Sequence, residues 1–136
     1  MKALLVPPKE VPSVWSDVKP LITKGVAHAV ENIDGDDFLK PIINGECFLW
    51  IVVDELEIVS ICLGEFYHYP RQKSFFILAW ATKSGQQFDE VIATFNDSVV
   101  AFAKASGCDF IEAKVRKGLA KKLKWNDTHS YVTLTL

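Results

Sequence analysis

The stretch SFFILAWATKSGQQFDEVIATFNDSVVAFAKASGCDFIEAKVRKGLAKKL, residues 74–123, decides the fold. Its first eight residues, Ser74 to Ala81, are almost continuously apolar. They lie between the turn-like Pro70-Arg-Gln-Lys73 and the loop Thr82-Lys-Ser-Gly-Gln-Gln87, which is the pattern of a central strand buried on both faces. From Phe88 the period changes. Phe88, Val91, Ile92, Phe95, Val99, Phe102, Ala103 and Ser106 recur at helical spacing, with Asp89, Glu90, Asn96, Asp97 and Lys104 largely elsewhere, so an amphipathic helix follows the strand. Gly107 is its stop. Cys108 to Val115 then alternates, Phe110 toward one face and Ile111, Ala113 and Val115 toward the other, as a strand near the sheet edge does. A strand, a helix and a second strand make a βαβ unit, so Ser74–Ala81 and Asp109–Val115 are expected to run parallel.

Working outward, Ala3 to Val6 reads as a short first strand cut off by Pro7-Pro8. Val11, Val14, Trp15, Val18, Leu21 and Ile22 share a helical stripe with Ser13 as its cap, and Pro20 is expected to kink or split it into pieces near 12–19 and 20–30. Asn32 to Asp37 is a turn in which Asp36 or Asp37 caps a brief helix that ends at Asn44-Gly45. Cys47–Val53 and Glu57–Leu63 flank the acidic tip Asp54-Glu55 as an antiparallel hairpin without the favoured Asn-Gly turn; residues 64–69 extend its second strand, with Gly64 at a bulge. Arg116–Lys124 is a short basic helix with Leu119, Ala120 and Leu123 inward, and Tyr131–Leu136 alternates as a closing strand. The expected architecture is a mixed α/β (α+β) sheet in one domain, residues 1–136: an antiparallel meander followed by a βαβ unit, in the order β-α-α-β-β-β-α-β-α-β.

Composition bounds the function. The chain has 136 residues, 49% hydrophobic and 24% charged, with a net charge of −2, an ordinary globular make-up large enough for one core. That balance argues against a dedicated nucleic-acid binder, although Lys114, Arg116, Lys117, Lys121, Lys122 and Lys124 cluster locally. A solvated helix face is the plain reading of this cluster. Cys47, Cys62 and Cys108 have no zinc-ligand spacing and read as buried thiols. His28 and His129 are isolated, and Asp34, Asp36 and Asp37 lack the later glutamate of a calcium loop, so no metal is expected. No apolar run approaches membrane-spanning length. The expectation is a cytoplasmic protein, or one packaged within a particle made there.

The order of elements, and Ala101–Leu123 (AFAKASGCDFIEAKVRKGLAKKL) in particular, resemble the GNAT superfamily of acyl-coenzyme A N-acyltransferases, and more closely the small GNAT-like proteins of tailed phages and prophages. The resemblance implies that acetyl-CoA lies along the end of the central strand and the following loop, residues Trp80, Ala81, Thr82, Lys83, Ser84, Gly85, Gln86 and Gln87. Glycines there would let backbone approach phosphate, and a helix N-terminus supplies unpaired amides. Of the family's glycine-rich loop pattern only Gly85 remains. Where the family often places a tyrosine acid, this chain has Lys124. The candidate bases are Glu65 and His68, with a packed aromatic strand edge, Phe66 to Tyr69, as the plainer account of that segment. The four tryptophans read as core, with Trp80 also placed to line a cleft. Two functions follow from the resemblance. One is a phage-type protein with an eroded acyl-CoA loop and little or no catalysis, serving as a virion or assembly component that binds a phage or host protein. The other is an active acetyl-CoA-dependent N-acetyltransferase acting on an amine.

Overall fold

The computed structural model describes residues 1–27, 32–115, 117–128 and 132–136. A five-stranded sheet runs in the order β1-β2-β3-β4-β5, with β1 Lys2–Leu5, β2 Phe48–Asp54, β3 Glu57–His68, β4 Lys73–Thr82 and β5 Phe110–Ala113. The first three pairings are antiparallel and the β4–β5 pairing is parallel, as the βαβ reading requires. Helices α1 (Val11–Val26) and α2 (Leu39–Ile43) cover one face, and α3 (Phe88–Ala105) and α4 (Lys117–Leu123) the other. The core is therefore two layers. Val18, Leu21 and Ile22 of α1 pack on Leu49, Ile51, Ile61 and Leu63, while Val91, Phe95 and Val99 of α3 pack on Val52, Val59, Phe75 and Ile77.

Several expectations change. Pro20 does not divide the first helix: Val11–Val26 is one helix with Pro20 inside it, because the stripe on both sides of the proline stays buried against the sheet and offsets the lost backbone bond. Its N-cap is Glu10, and the Ser13 hydroxyl instead donates to the Glu10 carbonyl at 2.7 Å. In the next turn the cap is Asp34 rather than Asp36 or Asp37. The Asp34 side chain accepts from the Asp36 amide and the Asp37 carboxylate accepts from the Asp34 amide, a capping box at the head of a 3₁₀ turn, Gly35–Phe38, that leads into α2. Asp36 pairs with Lys19 at 2.7 Å; that hydrogen bond holds its carboxyl below the ordinary range. Val132–Leu136 forms no strand, while Tyr131, Arg116, His28, His129 and the far end of the predicted second helical piece lie outside the described residues. The hairpin tip is Glu55-Leu56, both at positive φ (49° and 69°), which is the two-residue primed turn built without glycine.

Two irregularities shape the sheet. On β3, Val52 faces Ser60 and Val53 faces Ile58, so Val59 is the additional residue. The bulge expected at Gly64 lies on the facing strand instead: Leu63 faces Ala79 but Gly64 faces Ile77, so the extra residue is Leu78 of β4. Leu78 and Ala79 consequently both join the α1 side, and Ile77 and Trp80 lie on the α3 side.

Candidate functional site

The inserted residue has a direct consequence at the parallel pair. β5 follows β4 only from Ser74–Phe110 to Ile77–Ala113 and leaves at the bulge, while β4 runs on through Leu78 to Thr82. The two strands thus diverge, leaving the end of β4 without a β5 partner. The Lys83 amide donates to the Val59 carbonyl at 2.8 Å, toward β3, so by strand alternation the backbone groups of Trp80 and Thr82 face the gap. The Thr82 carbonyl is taken: Lys24, from the end of α1, donates its ammonium to it at 2.6 Å. Gly25 seats that helix end, since a Cβ there would lie 3.0 Å from the Ala79 Cβ. Behind the strand end, buried Ser60 donates to the Ala81 carbonyl at 2.7 Å and shares a hydrogen bond with the Thr82 hydroxyl at 2.9 Å, so both buried hydroxyls are satisfied.

The loop that follows turns on Gly85, whose φ of +86° explains the glycine and whose missing side chain would meet only open space. Helix α3 then begins at Gln87 with no side-chain cap, leaving first-turn amides for an outside acceptor. That first turn also carries Asp89 and Glu90, which already complement the helix dipole and oppose a second anion. The nearby cations are engaged: Lys83 pairs with Glu57 at 2.8 Å, and Lys122 pairs with Asp89 at 3.7 Å and lies 4.9 Å from the Phe88 ring centre.

Trp80, on the α3 side of this strand end, is only 6% exposed. Its ring meets Phe95 edge-on at 5.7 Å and approaches Trp125 at 6.3 Å. Trp125 belongs to the segment just after α4, so the two indoles meet in the α3-side layer, beside the end of β4. Among the described residues the Trp80 indole N–H has no acceptor, and neither does that of Trp50, which shares its cross-strand row through Cys62.

The predicted cofactor residues, Trp80 to Gln87, thus lie together along the end of β4, the loop and the head of α3. The two proposed bases face earlier residues of β4, at different distances from its unpaired end. His68 faces Lys73 at the opposite end of β4, about 16 Å along the strand from Leu78. Glu65 faces Phe76 and lies near Cys47, whose thiol is pushed up to about 12, first by burial and then by the Glu65 and Glu46 carboxylates. Lys124 ends α4 at a positive φ of 57°. Among the described residues no group of three His, Cys, Asp or Glu could hold a metal ion, and no helix is long and apolar enough to cross a membrane. Sequence reasoning missed Lys24, which sits 58 residues from its acceptor, and it missed Trp125, which reads locally as a turn. Neither leaves a sequence signal, since each acts through a long-range contact.

No protein-family model and no curated protein sequence matches the chain. Solved structures do. A mutant of the BH1408 protein from Bacillus halodurans superposes with a TM-score of 0.75 at 14% identity, covering 100% of this chain and 99% of the other. A predicted acetyltransferase with acetyl-CoA from Clostridium acetobutylicum gives 0.70 at 18% identity, covering 98% and 95%. An aminoglycoside 6'-N-acetyltransferase from Acinetobacter haemolyticus gives 0.75 at 9% identity, covering 100% and 98%. At such identities the likeness is one of architecture: the chain has the GNAT acetyltransferase fold.

Proposed function

We propose that this chain is a GNAT-fold binding component that has kept the acyl-CoA scaffold and lost efficient acyl transfer. The observation that carries this reading is the Trp80–Trp125 contact, which sets two indoles on the α3 side of the strand end where β4 loses its β5 partner and a thioester arm would have to pass. The carboxylates of Asp89 and Glu90 at the head of α3 support it, since they stand where a pyrophosphate needs positive potential. So does the position of His68, which is too remote to take a proton at the gap. The tailed-phage setting, with a virion or host protein as partner, rests on the sequence resemblance of Ala101–Leu123 alone. The host cytoplasm or the virion interior is the matching location.

A second reading, an N-acetyltransferase acting on an amine, is favoured by one observation: the unpaired end of β4 runs straight into an uncapped helix N-terminus. The fold neighbour solved with acetyl-CoA is consistent with it. Calorimetric titration of acetyl-CoA separates the two. The binding-component reading expects no heat and no thermal shift at millimolar ligand. Micromolar binding abolished by Gly85→Glu would overturn it; at a hundredfold excess over Kd such a ligand would add about 2.7 kcal/mol of stability.

A further inference from the structure

The face of the sheet that carries α1 holds a second chemical surface at the other end of β4. Register places Tyr67, Ser74 and Phe110 side by side across β3, β4 and β5, and Glu65, Phe76 and Glu112 in the next row. Both rows point away from α3, because Phe75, Ile77, Ile111 and Ala113 pack on the α3 side. Tyr69 arches over the small, fully buried Ser74, its ring 4.6 Å from Tyr67 and 5.8 Å from Phe110. Its hydroxyl donates to Glu112 at 2.7 Å, and the Ser74 hydroxyl donates to the same carboxylate at 2.5 Å. The phenol is held above its ordinary value, chiefly by that bond to Glu112. These bonds fix the Glu112 carboxylate and the Tyr69 ring in place while leaving the carboxylate's remaining lone pairs for an outside donor.

The result is a continuous platform of three rings, Tyr67, Tyr69 and Phe110, exposed by 48%, 38% and 37%. Glu112 lies at its edge, and Glu65 stands in the same row as Glu112. Three exposed aromatic rings in line exceed what solubility favours on a free surface. The surface lies across the pleat of three strands and not in a cleft, which suits a macromolecular partner better than an enclosed small molecule. Its chemistry names the side chain it takes. A guanidinium is planar and weakly hydrated, stacks on aromatic faces and forks onto carboxylates, whereas an ammonium does neither of the last two as well. We infer that this patch docks an arginine-bearing segment of a partner protein, with guanidinium groups lying on the Tyr67–Tyr69–Phe110 platform and hydrogen-bonded to Glu65 and Glu112.

This inference rests on the binding-component reading for its biological sense but is tested apart from it. The probe is an acetylated, amidated Gly-Arg-Gly-Arg-Gly peptide titrated into the ¹⁵N-labelled full chain, with the lysine counterpart as comparison. The expected result is that the largest amide shifts fall on residues 65–69 and 110–113, and that the arginine peptide binds at least threefold more tightly than the lysine one. Glu65→Gln with Glu112→Gln should weaken it about tenfold. The amide oxygen that Glu112→Gln introduces can still accept from Tyr69 and Ser74, and an unchanged amide spectrum elsewhere confirms folding. Tyr67→Ala, at an exposed ring, should weaken binding without moving the melting temperature. Shifts centred on residues 80–90, equal affinity for the two peptides, or full affinity in the double glutamine variant would each overturn the assignment. Acetyl-CoA binding would sink the function proposed above and leave this mapping as it is.

Discussion

Gly64→Ala tests the packing that sets the bulge and, through it, the divergence of β4 from β5. A Cβ at position 64 would lie 2.6 Å from the Phe75 Cε2 and 3.0 Å from the Phe76 carbonyl oxygen. Carbon atoms at rest approach to about 3.5 Å, and the Phe75 Cζ is nearer still, so the ring would have to retreat by roughly 1.1 Å. It has nowhere to go: Phe75 is fully buried, with ring contacts to Phe66 at 5.8 Å and Phe102 at 5.6 Å, and the carbonyl belongs to a paired strand. Overpacking of this kind costs about 1–3 kcal/mol, and the rigid surroundings place Gly64→Ala in the upper half of that range. For a domain of this size 1 kcal/mol moves the melting temperature by about 3–4 °C, so a fall of about 6–12 °C is expected by calorimetry. A double-mutant cycle with Phe75→Leu isolates the cause, because the smaller side chain makes room. The double variant should be more stable than the sum of the single effects by at least about 1 kcal/mol. A melting temperature within about 2 °C of the parent, or strict additivity with Phe75→Leu, would refute the argument.

Two further outcomes are expected. Glu55→Asn combined with Leu56→Gly should raise stability by about 1 kcal/mol in urea unfolding, because two ordinary residues now hold left-handed backbone and Leu56 is wholly exposed; a loss of stability would mean that the turn changes type. Thiol labelling of the native chain at pH 8 should modify Cys108 first. Burial pushes the Cys62 thiol up and, with the neighbouring carboxylates, takes Cys47 to about 12, so both stay protonated and closed to reagent until the chain unfolds. Rapid native labelling of Cys62 would show that its layer of the sheet opens.

Much of the fold was legible in local pattern. A 3.6-residue stripe from Phe88 to Ala105 and a buried strand beside it leave few ways to satisfy backbone and side chains together, and the parallel crossover follows from chain connectivity. Residues Trp80 to Gln87 were likewise readable as one strand-end, loop and helix head because they are contiguous. Other features were hidden for definite reasons. The bulge at Leu78 lies in a run where every side chain is apolar, so shifting the phase of the strand leaves the hydrophobic pattern unchanged. Pro20 stays inside a helix because burial on both sides of it outweighs a local rule. Val132 to Leu136 alternates like a strand yet forms none among the described residues, since alternation states only a capacity to pair and an edge must be within reach.

The candidate site divides along the same line. Amide groups at the head of α3 and the glycine at 85 are consequences of short-range sequence. What stands beside the unpaired end of β4 depends on Trp80 meeting Trp125, which lies past three further elements, α3, β5 and α4. Likewise, whether Glu65, Tyr67, Tyr69, Phe110 and Glu112 form one surface depends on strand register. Register and inter-element contact come from packing the whole chain at once, and no window of sequence contains them.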